Sequence, residues 1–104
     1  MVYVIWTDSA LGNLRAIKDY RARVSPGSAE RFCLDLLAAT DRISQFPRSG
    51  QVVSEFRIEA IREVIFKEYR IIYQVADSAC YIRAVIHGSR DLQRHIDPTS
   101  WDVQ

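Results

Sequence analysis

The sequence predicts an α+β domain in which a strand and an antiparallel helical hairpin pack on an antiparallel sheet. The first half of the chain carries two apolar stripes at helical spacing. The second half changes to β-rich runs separated by short polar turns. The length of 104 residues suits one domain, and 48% hydrophobic and 26% charged residues are ordinary values for a folded protein.

The N-terminal half predicts one strand followed by two helices. Residues 2–7 are β-branched and aromatic, which favours a strand. Asp8 or Ser9 can cap a helix that runs to Val24, with apolar residues three and four positions apart. A second, stronger apolar stripe predicts a helix over Pro26–Phe46. The short break between the two helices predicts that they pack antiparallel.

The C-terminal half predicts a β-meander. Strands are expected at residues 52–53, at Ile61–Phe66, at Tyr69–Val75 and at Cys80–His87. Lys67-Glu68 is short enough for a two-residue turn, which would set the pairing of the strands on either side. The domain is expected to span residues 1–92. The polar tail, residues 93–104, allows one short helix or partial disorder.

This pairing separates the strand residues into two faces of the sheet. The predicted first face is almost wholly apolar and should take the helical hairpin: Arg62, Val64, Phe66, Tyr69, Ile71, Tyr73, Ile82, Ala84 and Ile86. The predicted second face is mixed: Glu63, Ile65, Arg70, Ile72, Gln74, Tyr81, Arg83, Val85 and His87. Because burying unpaired charges is costly, the second face is expected to stay open, as a binding surface or as an ordinary solvated face.

Composition narrows the possible chemistry. The net charge of +1 does not require nucleic-acid binding, although all 14 basic residues except Lys18 and Lys67 are arginine, which suits carboxylates and phosphates. High genomic GC content would produce the same bias. The two cysteines lack a pairing motif, and the two histidines lack zinc spacing. We expect no metal, no cofactor, no membrane span and a cytoplasmic location.

One polar cluster follows directly on the last strand, at residues 87–91. Gly88 allows the chain to turn, so that Arg90 could point back toward Arg70. Two guanidinium groups and the His87 imidazole around one concavity would suit phosphates or an acidic partner. A plain salt bridge between Arg90 and Asp91 is the alternative, and a histidine at a strand end is usually a surface residue.

Four segments together resemble one known superfamily: Asp8-Ser9-Ala10 at a helix start, Phe46-Pro47, Tyr69-Arg70-Ile71-Ile72-Tyr73, and His87-Gly88-Ser89-Arg90-Asp91. Over residues 2–92 the chain resembles the RelE/ParE superfamily, the toxins of type II toxin–antitoxin systems. The long helical hairpin and the last segment are closer to the ParE-like branch.

The resemblance implies a curved antiparallel sheet and a cognate, ParD-like antitoxin that wraps the toxin in a hetero-oligomer. Operator DNA would be contacted only indirectly, through the antitoxin. Members similar to RelE cut mRNA on the ribosome, whereas members similar to ParE inhibit DNA gyrase and growth without catalysis of their own.

Aligning on Tyr69-Arg70 carries two arginines of the nuclease site onto Arg70 and Arg90. The nuclease lysines fall at Ile61 and Glu63, and the catalytic tyrosine falls near Ile96. A metal-independent nuclease needs a base, an acid and a cation, and only the cation is clearly present. If the chain is a nuclease, the resemblance points to these catalytic residues: Glu63, Arg70, His87 and Arg90.

Gyrase inhibition without catalysis is therefore the favoured reading. A metal-independent, ribosome-dependent mRNA endonuclease is the alternative. A non-toxic remnant that only binds its antitoxin is a second alternative. The expected target- or antitoxin-binding residues are Arg62, Arg70, Tyr81, Arg83, His87 and Arg90.

Overall fold

The computed structural model describes residues 1–101 and confirms the α+β class. Its elements are β1 (Tyr3–Trp6), α1 (Asp8–Ala22), α2 (Pro26–Ala39), β2 (Gln51–Val52), β3 (Ile61–Phe66), β4 (Tyr69–Val75), β5 (Ala79–His87) and α3 (Leu92–His95). Within this range the five strands form one sheet in the order β1-β5-β4-β3-β2. β1 runs parallel to β5, and the other pairs are antiparallel. None of the helices in residues 1–101 has the length and apolar character needed to cross a membrane.

α1 is capped by Thr7, so the expected cap at Asp8 or Ser9 is wrong. The Thr7 hydroxyl accepts from the Ala10 N–H at 3.2 Å and donates to the Ile82 carbonyl at 2.7 Å. One side chain therefore satisfies a donor at the start of the helix and also ties the helix to β5.

α2 is shorter than its apolar stripe predicts. It ends at Ala39 rather than at Phe46, because the Thr40 hydroxyl donates to the Leu37 carbonyl and the chain tightens into a 3-10 turn at Asp41–Ile43. Ile43 is fully buried, so the apolar pattern continues past the end of the helix. Pattern alone cannot separate the two conformations, since both bury the same side chains.

The register of β3 and β4 is the one the turn predicts. Phe66 lies opposite Tyr69, and Val64 lies opposite Ile71. Lys67 adopts a positive φ of 51°, which a tight two-residue turn requires. The first face packs on the helical hairpin formed by α1 and α2. Its buried core is Ala10, Ile17, Phe32, Leu36, Ile43, Ile71, Tyr73, Cys80, Ile82 and Val85.

The predicted faces of β5 are wrong beyond Ile82. Tyr73 pairs with Ile82 but Ile72 pairs with Ala84, so Arg83 is an extra residue in a β-bulge. Because side chains alternate along a strand, one extra residue exchanges the two faces. Ala84 and Ile86 therefore lie on the second face, whereas Val85 and His87 lie on the first.

The second face is covered, contrary to the expectation that it stays open. It holds a buried cluster of its own: Val53, Ile61, Ile72, Ala84, Ile86 and Leu92, with Phe56, Ile96 and Trp101 packed against it. The loop between β2 and β3 and the C-terminal segment, residues 92–101, supply this cover. The tail thus contains the short helix α3. A domain boundary at residue 92 stays a prediction, and residues 102–104 lie outside the described residues.

Candidate functional site

Arg70 is held between two carboxylates on the second face. Its Nε donates to Glu63 at 2.6 Å, and its two terminal nitrogens donate to Glu55 at 2.7 and 2.8 Å. A further bond of 3.1 Å joins Nη2 to Glu63. The Arg70 side chain is only 14% exposed and that of Glu63 only 10%. These bidentate pairs are the strong kind of charge-assisted hydrogen bond, and they join the β2–β3 loop to the sheet.

The electrostatics of this cluster follow from its hydrogen bonds. The Arg70 guanidinium lowers the pKa of the Glu55 carboxyl to about 2, and the two carboxylates raise the pKa of Arg70 above its ordinary value. Arg70 therefore stays charged with its donors occupied. A phosphate could reach it only by displacing Glu55 or Glu63.

Arg62 is also occupied within the fold. It donates to the backbone carbonyls of Arg48 and Gly50 at 3.1 and 2.8 Å and pairs with the Glu59 carboxylate. Its side chain is 12% exposed. Arg62 therefore fastens the chain before β2 to β3.

A groove runs between α1, the C-terminal half of β5 and the C-terminal segment. Its volume is about 930 Å³. Three of the predicted site residues line it: Arg83, His87 and Arg90. Residues of α1 on the opposite wall were not predicted, among them Asn13, Tyr20 and Arg21. Tyr20 and Arg21 lie seven and eight residues after Asn13, which is two helical turns, and this spacing beside the apolar stripe was the available signal.

His87 lies in this groove with a defined hydrogen-bond arrangement. Its Nδ1 accepts from the Ser89 N–H at 3.1 Å and contacts the Ser89 hydroxyl at 2.7 Å. A neutral ring that accepts at Nδ1 carries its proton on Nε2. The ring meets Tyr69 edge to face, with centroids 5.4 Å apart. The imidazole is thus oriented by the turn that follows β5.

Arg83 marks the boundary between the groove and the second face. It donates to the Gln74 side-chain carbonyl at 2.9 and 2.7 Å. Its guanidinium also lies over the rings of Tyr81 and Trp101, 5.1 and 5.5 Å from their centroids. The contact with Trp101 holds the C-terminal segment against the sheet, whereas Gln74 and Tyr81 are themselves strand residues. Tyr81 does not line the groove.

Arg21 contributes a second cation on the α1 side. Its guanidinium stacks on Phe32, 3.6 Å from the ring centroid, and one nitrogen lies 3.3 Å from the Glu68 carboxylate. The stack on Phe32 fixes the position of the Arg21 charge, because it restricts a side chain that would otherwise adopt several rotamers.

The predicted nuclease residues do not form one site. Glu63 and Arg70 pair with each other on the second face, whereas His87 and Arg90 line the groove that borders α1. The expected concavity of Arg70, His87 and Arg90 is therefore wrong, because the bulge at Arg83 moves His87 to the first face. The ion pair of Asp91 in the structure is with Arg94, at 4.0 Å.

The part of the chain that the structure describes has neither a metal-binding cluster nor a reactive cysteine pair. Residues 1–101 contain no group of three or more His, Cys, Asp or Glu side chains arranged to hold a metal ion. Cys33 and Cys80 are both buried and unpaired, and burial raises the pKa of each thiol. Neither is a reactive thiolate at neutral pH.

The fold and the sequence match known toxins. The family model described as the ParE toxin of the type II toxin–antitoxin system parDE matches residues 4–92. The chain is 36% identical over 91 residues to Toxin RelE2 of Caulobacter vibrioides, covering 86% of this chain and 99% of the relative. Its fold is similar to a solved chain of the chromosomal ParDE toxin–antitoxin system from P. aeruginosa, with a TM-score of 0.73, 18% identity and coverage of 84% and 96%. The chain therefore belongs to the ParE toxin family of type II toxin–antitoxin systems.

Proposed function

We propose that this toxin inhibits DNA gyrase by binding it and that a cognate antitoxin neutralises it. One observation carries the choice of target: Arg70 and Glu63, the nuclease cation and the substitute base, are bound to each other and to Glu55. The family model and the fold similar to a ParDE toxin–antitoxin system support an antitoxin partner and the ParE-like branch.

Metal-independent RNA cleavage needs a base, an acid and a phosphate cation within reach of one phosphodiester. In this chain the base candidate Glu63 is paired with Arg70 on the second face, whereas the acid candidate His87 and the second cation candidate, Arg90, line the groove. Inhibition by binding has no such requirement, since it needs only a complementary surface. The geometry therefore favours a toxin that acts through contact.

A supercoiling assay with purified gyrase, using the chain freed from its antitoxin, tests this proposal. We expect lost supercoiling and accumulation of cleaved DNA–gyrase complexes. Addition of the antitoxin beforehand should restore normal supercoiling, which serves as the control. Unaffected gyrase at a large molar excess of the toxin would refute the proposed target.

Ribosome-dependent mRNA cleavage is the second candidate, and two observations favour it. The relative with 36% identity is named Toxin RelE2, and His87, Arg83 and Arg90 line one groove. Message incubated with translating ribosomes should then be cut, and His87→Ala should abolish the cut while Arg31→Ala on the exposed face of α2 should not. Intact message rules this candidate out. Intact message together with unaffected gyrase and a stable antitoxin complex would identify a non-toxic remnant.

A further inference from the structure

The two edges of the sheet differ in how they are protected from pairing with another chain. Short strands, charged side chains and prolines are the usual means of protection. β2 is only two residues long, Gln51–Val52, and the residues flanking it form the ion pairs of Glu59 with Arg48 and Arg62. β1, the other edge of the sheet formed by residues 1–101, is twice as long. Residues 2–7, which include β1, contain no charged residue and no proline.

The backbone groups on the outer side of β1 belong to Val4 and Trp6. The N–H groups of Tyr3 and Thr7 donate to carbonyls on the β5 side, each at 3.2 Å. Because backbone groups alternate in direction along a strand, those of Val4 and Trp6 point away from β5. β1 is the last strand on this side in residues 1–101. The outer side therefore presents two donors and two acceptors to an added strand.

The side chains beside this edge are apolar and are partly open to solvent. Val4 and Trp6 pack on the first core. Tyr3 and Ile5 lie on the opposite face of the sheet and are 77% and 41% exposed. The segments that cover the second core therefore leave this end of the face uncovered. Apolar side chains of an added strand would remove Tyr3 and Ile5 from water.

The free groups of β1 are complementary to a second copy of themselves. When two copies run antiparallel with Ile5 opposite Ile5, Val4 of each copy lies opposite Trp6 of the other. Each of these two pairs can exchange two backbone hydrogen bonds. A register centred on Val4 would instead set Trp6 opposite Val2. The Val2 N–H already donates to the Ser44 carbonyl at 2.8 Å, so the Trp6 carbonyl would have no donor.

We propose that two copies of this toxin pair along β1 as an antiparallel, two-fold symmetric dimer, which joins two five-stranded sheets into one continuous sheet. The occupant of the edge is a second copy because its donors and acceptors match under a two-fold rotation, as an isologous interface requires. The uncharged residues 2–7 also bring no like charges together. Two strands of this length bury little surface, so we expect micromolar association. The inference does not depend on gyrase as the target.

Sedimentation equilibrium of the full-length toxin, freed from its antitoxin, tests the dimer over about 1 to 100 μM. The average mass should rise from that of one chain toward that of two. The amides of Val4 and Trp6 should exchange at least about tenfold more slowly in the dimer, whereas the Ile5 amide, which faces β5, should change little. One chain per particle at every concentration overturns the inference. Protection of Val4 and Trp6 only in the antitoxin complex also overturns it and assigns the edge to the antitoxin.

A charge exchange at the two-fold axis tests the register. Ile5 faces its own copy, at a Cα separation of about 4.5 Å. Ile5→Lys and Ile5→Glu should each raise the dissociation constant of the dimer at least about tenfold, because like charges then meet. An equimolar mixture of the two variants should associate at least about tenfold more tightly than either variant alone, since the charges are then opposite. Association of the mixture also shows that both variants are folded.

Ile65→Lys is the matched control, because Ile65 is an exposed residue of β3, at 59%, away from the proposed interface. It should leave the dissociation constant unchanged. Loss of the dimer in Ile65→Lys would place the interface elsewhere and overturn the inference. Dimers of Ile5→Lys and Ile5→Glu that are as stable as those of the unmodified chain, or a mixture that associates no better than its components, would contradict pairing about Ile5.

Discussion

The two faces of the sheet bury similar aliphatic side chains, but different polar interactions hold the segments that cover them: neutral hydrogen bonds on the first face and ion pairs on the second. On the first face the cover is a pair of helices, and the buried polar tie is neutral: the Tyr73 hydroxyl donates to the Pro47 carbonyl at 2.7 Å and accepts from the Gly50 N–H at 3.0 Å. On the second face the cover is a loop and a short C-terminal segment, and the tie is ionic, through Arg70, Glu55 and Glu63.

This difference explains why a basic residue on a sheet face need not belong to a functional site. The covering loop packs Val53 and Phe56 into the second core, and the ion pairs of Glu55 with Arg70 add polar contacts to this apolar docking. Arg70 and Arg62 supply such contacts and are largely buried. The groove beside α1 instead brings several cationic side chains to one surface, which is where a partner can use them.

Removal of the ionic tie should have the largest effect on stability. Arg70→Ala leaves Glu55 and Glu63 close together without their cation, and we expect it to lower the free energy of unfolding by about 3–5 kcal/mol. Chemical denaturation measures this change. Arg31→Ala, which removes an exposed ion pair with Asp35, should cost less than about 1 kcal/mol.

A matched triple variant distinguishes the effect of leaving carboxylates unpaired from the effect of losing the packing of the Arg70 side chain. Arg70→Met combined with Glu55→Gln and Glu63→Gln removes all three charges while keeping most of the volume. Its free energy of unfolding should lie within about 1–2 kcal/mol of that of the unmodified chain, because no buried charge is left unpaired. If the triple variant is as unstable as Arg70→Ala, the ion pairs are not what Arg70 contributes.

The neutral tie on the first face should contribute less. Tyr73→Phe leaves the Gly50 N–H and the Pro47 carbonyl without their shared partner, and it should cost about 1–3 kcal/mol. Because burial raises the pKa of the Tyr73 phenol, this cost should stay constant from acid to neutral pH. Thermal unfolding across that range checks it, and a cost that varies with pH would contradict a neutral tie.

Acid should weaken the ionic tie on the second face. The pKa of Glu55 is about 2 in the folded chain, below its ordinary value of 4.5, so its contribution is complete above about pH 4.5 and is lost as pH falls through 2. Since Glu55 is partly exposed, we expect about 1–2 kcal/mol. Glu55→Gln should lose correspondingly less stability between pH 5 and pH 2. Identical pH profiles of the two chains would show that Glu55 is not coupled to folding.

Several features could be predicted because local rules determine them. A two-residue turn admits one register, so the pairing of β3 with β4 followed from the position of Lys67-Glu68. The helical hairpin followed from its two apolar stripes and from the break at Ser25-Pro26. In each case the determining residues are neighbours in the chain.

The remaining features depend on contacts between distant residues. Glu55 lies in an irregular loop where no periodicity indicates that its carboxylate will meet Arg70. Leu92 lies at the predicted end of the domain and Trp101 lies in the polar tail, and only the tertiary structure shows that they close the second core. The bulge at Arg83 has no local signature in the sequence, so the face of His87 was predicted wrongly. The site was less predictable than the fold for these reasons.

The bulge gives β5 two phases of side-chain alternation within one strand. Before Arg83 the even-numbered residues Cys80 and Ile82 face the helices, whereas after it the odd-numbered residues Val85 and His87 do. A deletion of Arg83 would therefore act on every position from Ala84 to His87 at once: it would move His87 from the first face to the second and Ile86 from the second face to the first. In comparisons between related toxins, the length of this strand thus carries as much information as the identity of its residues.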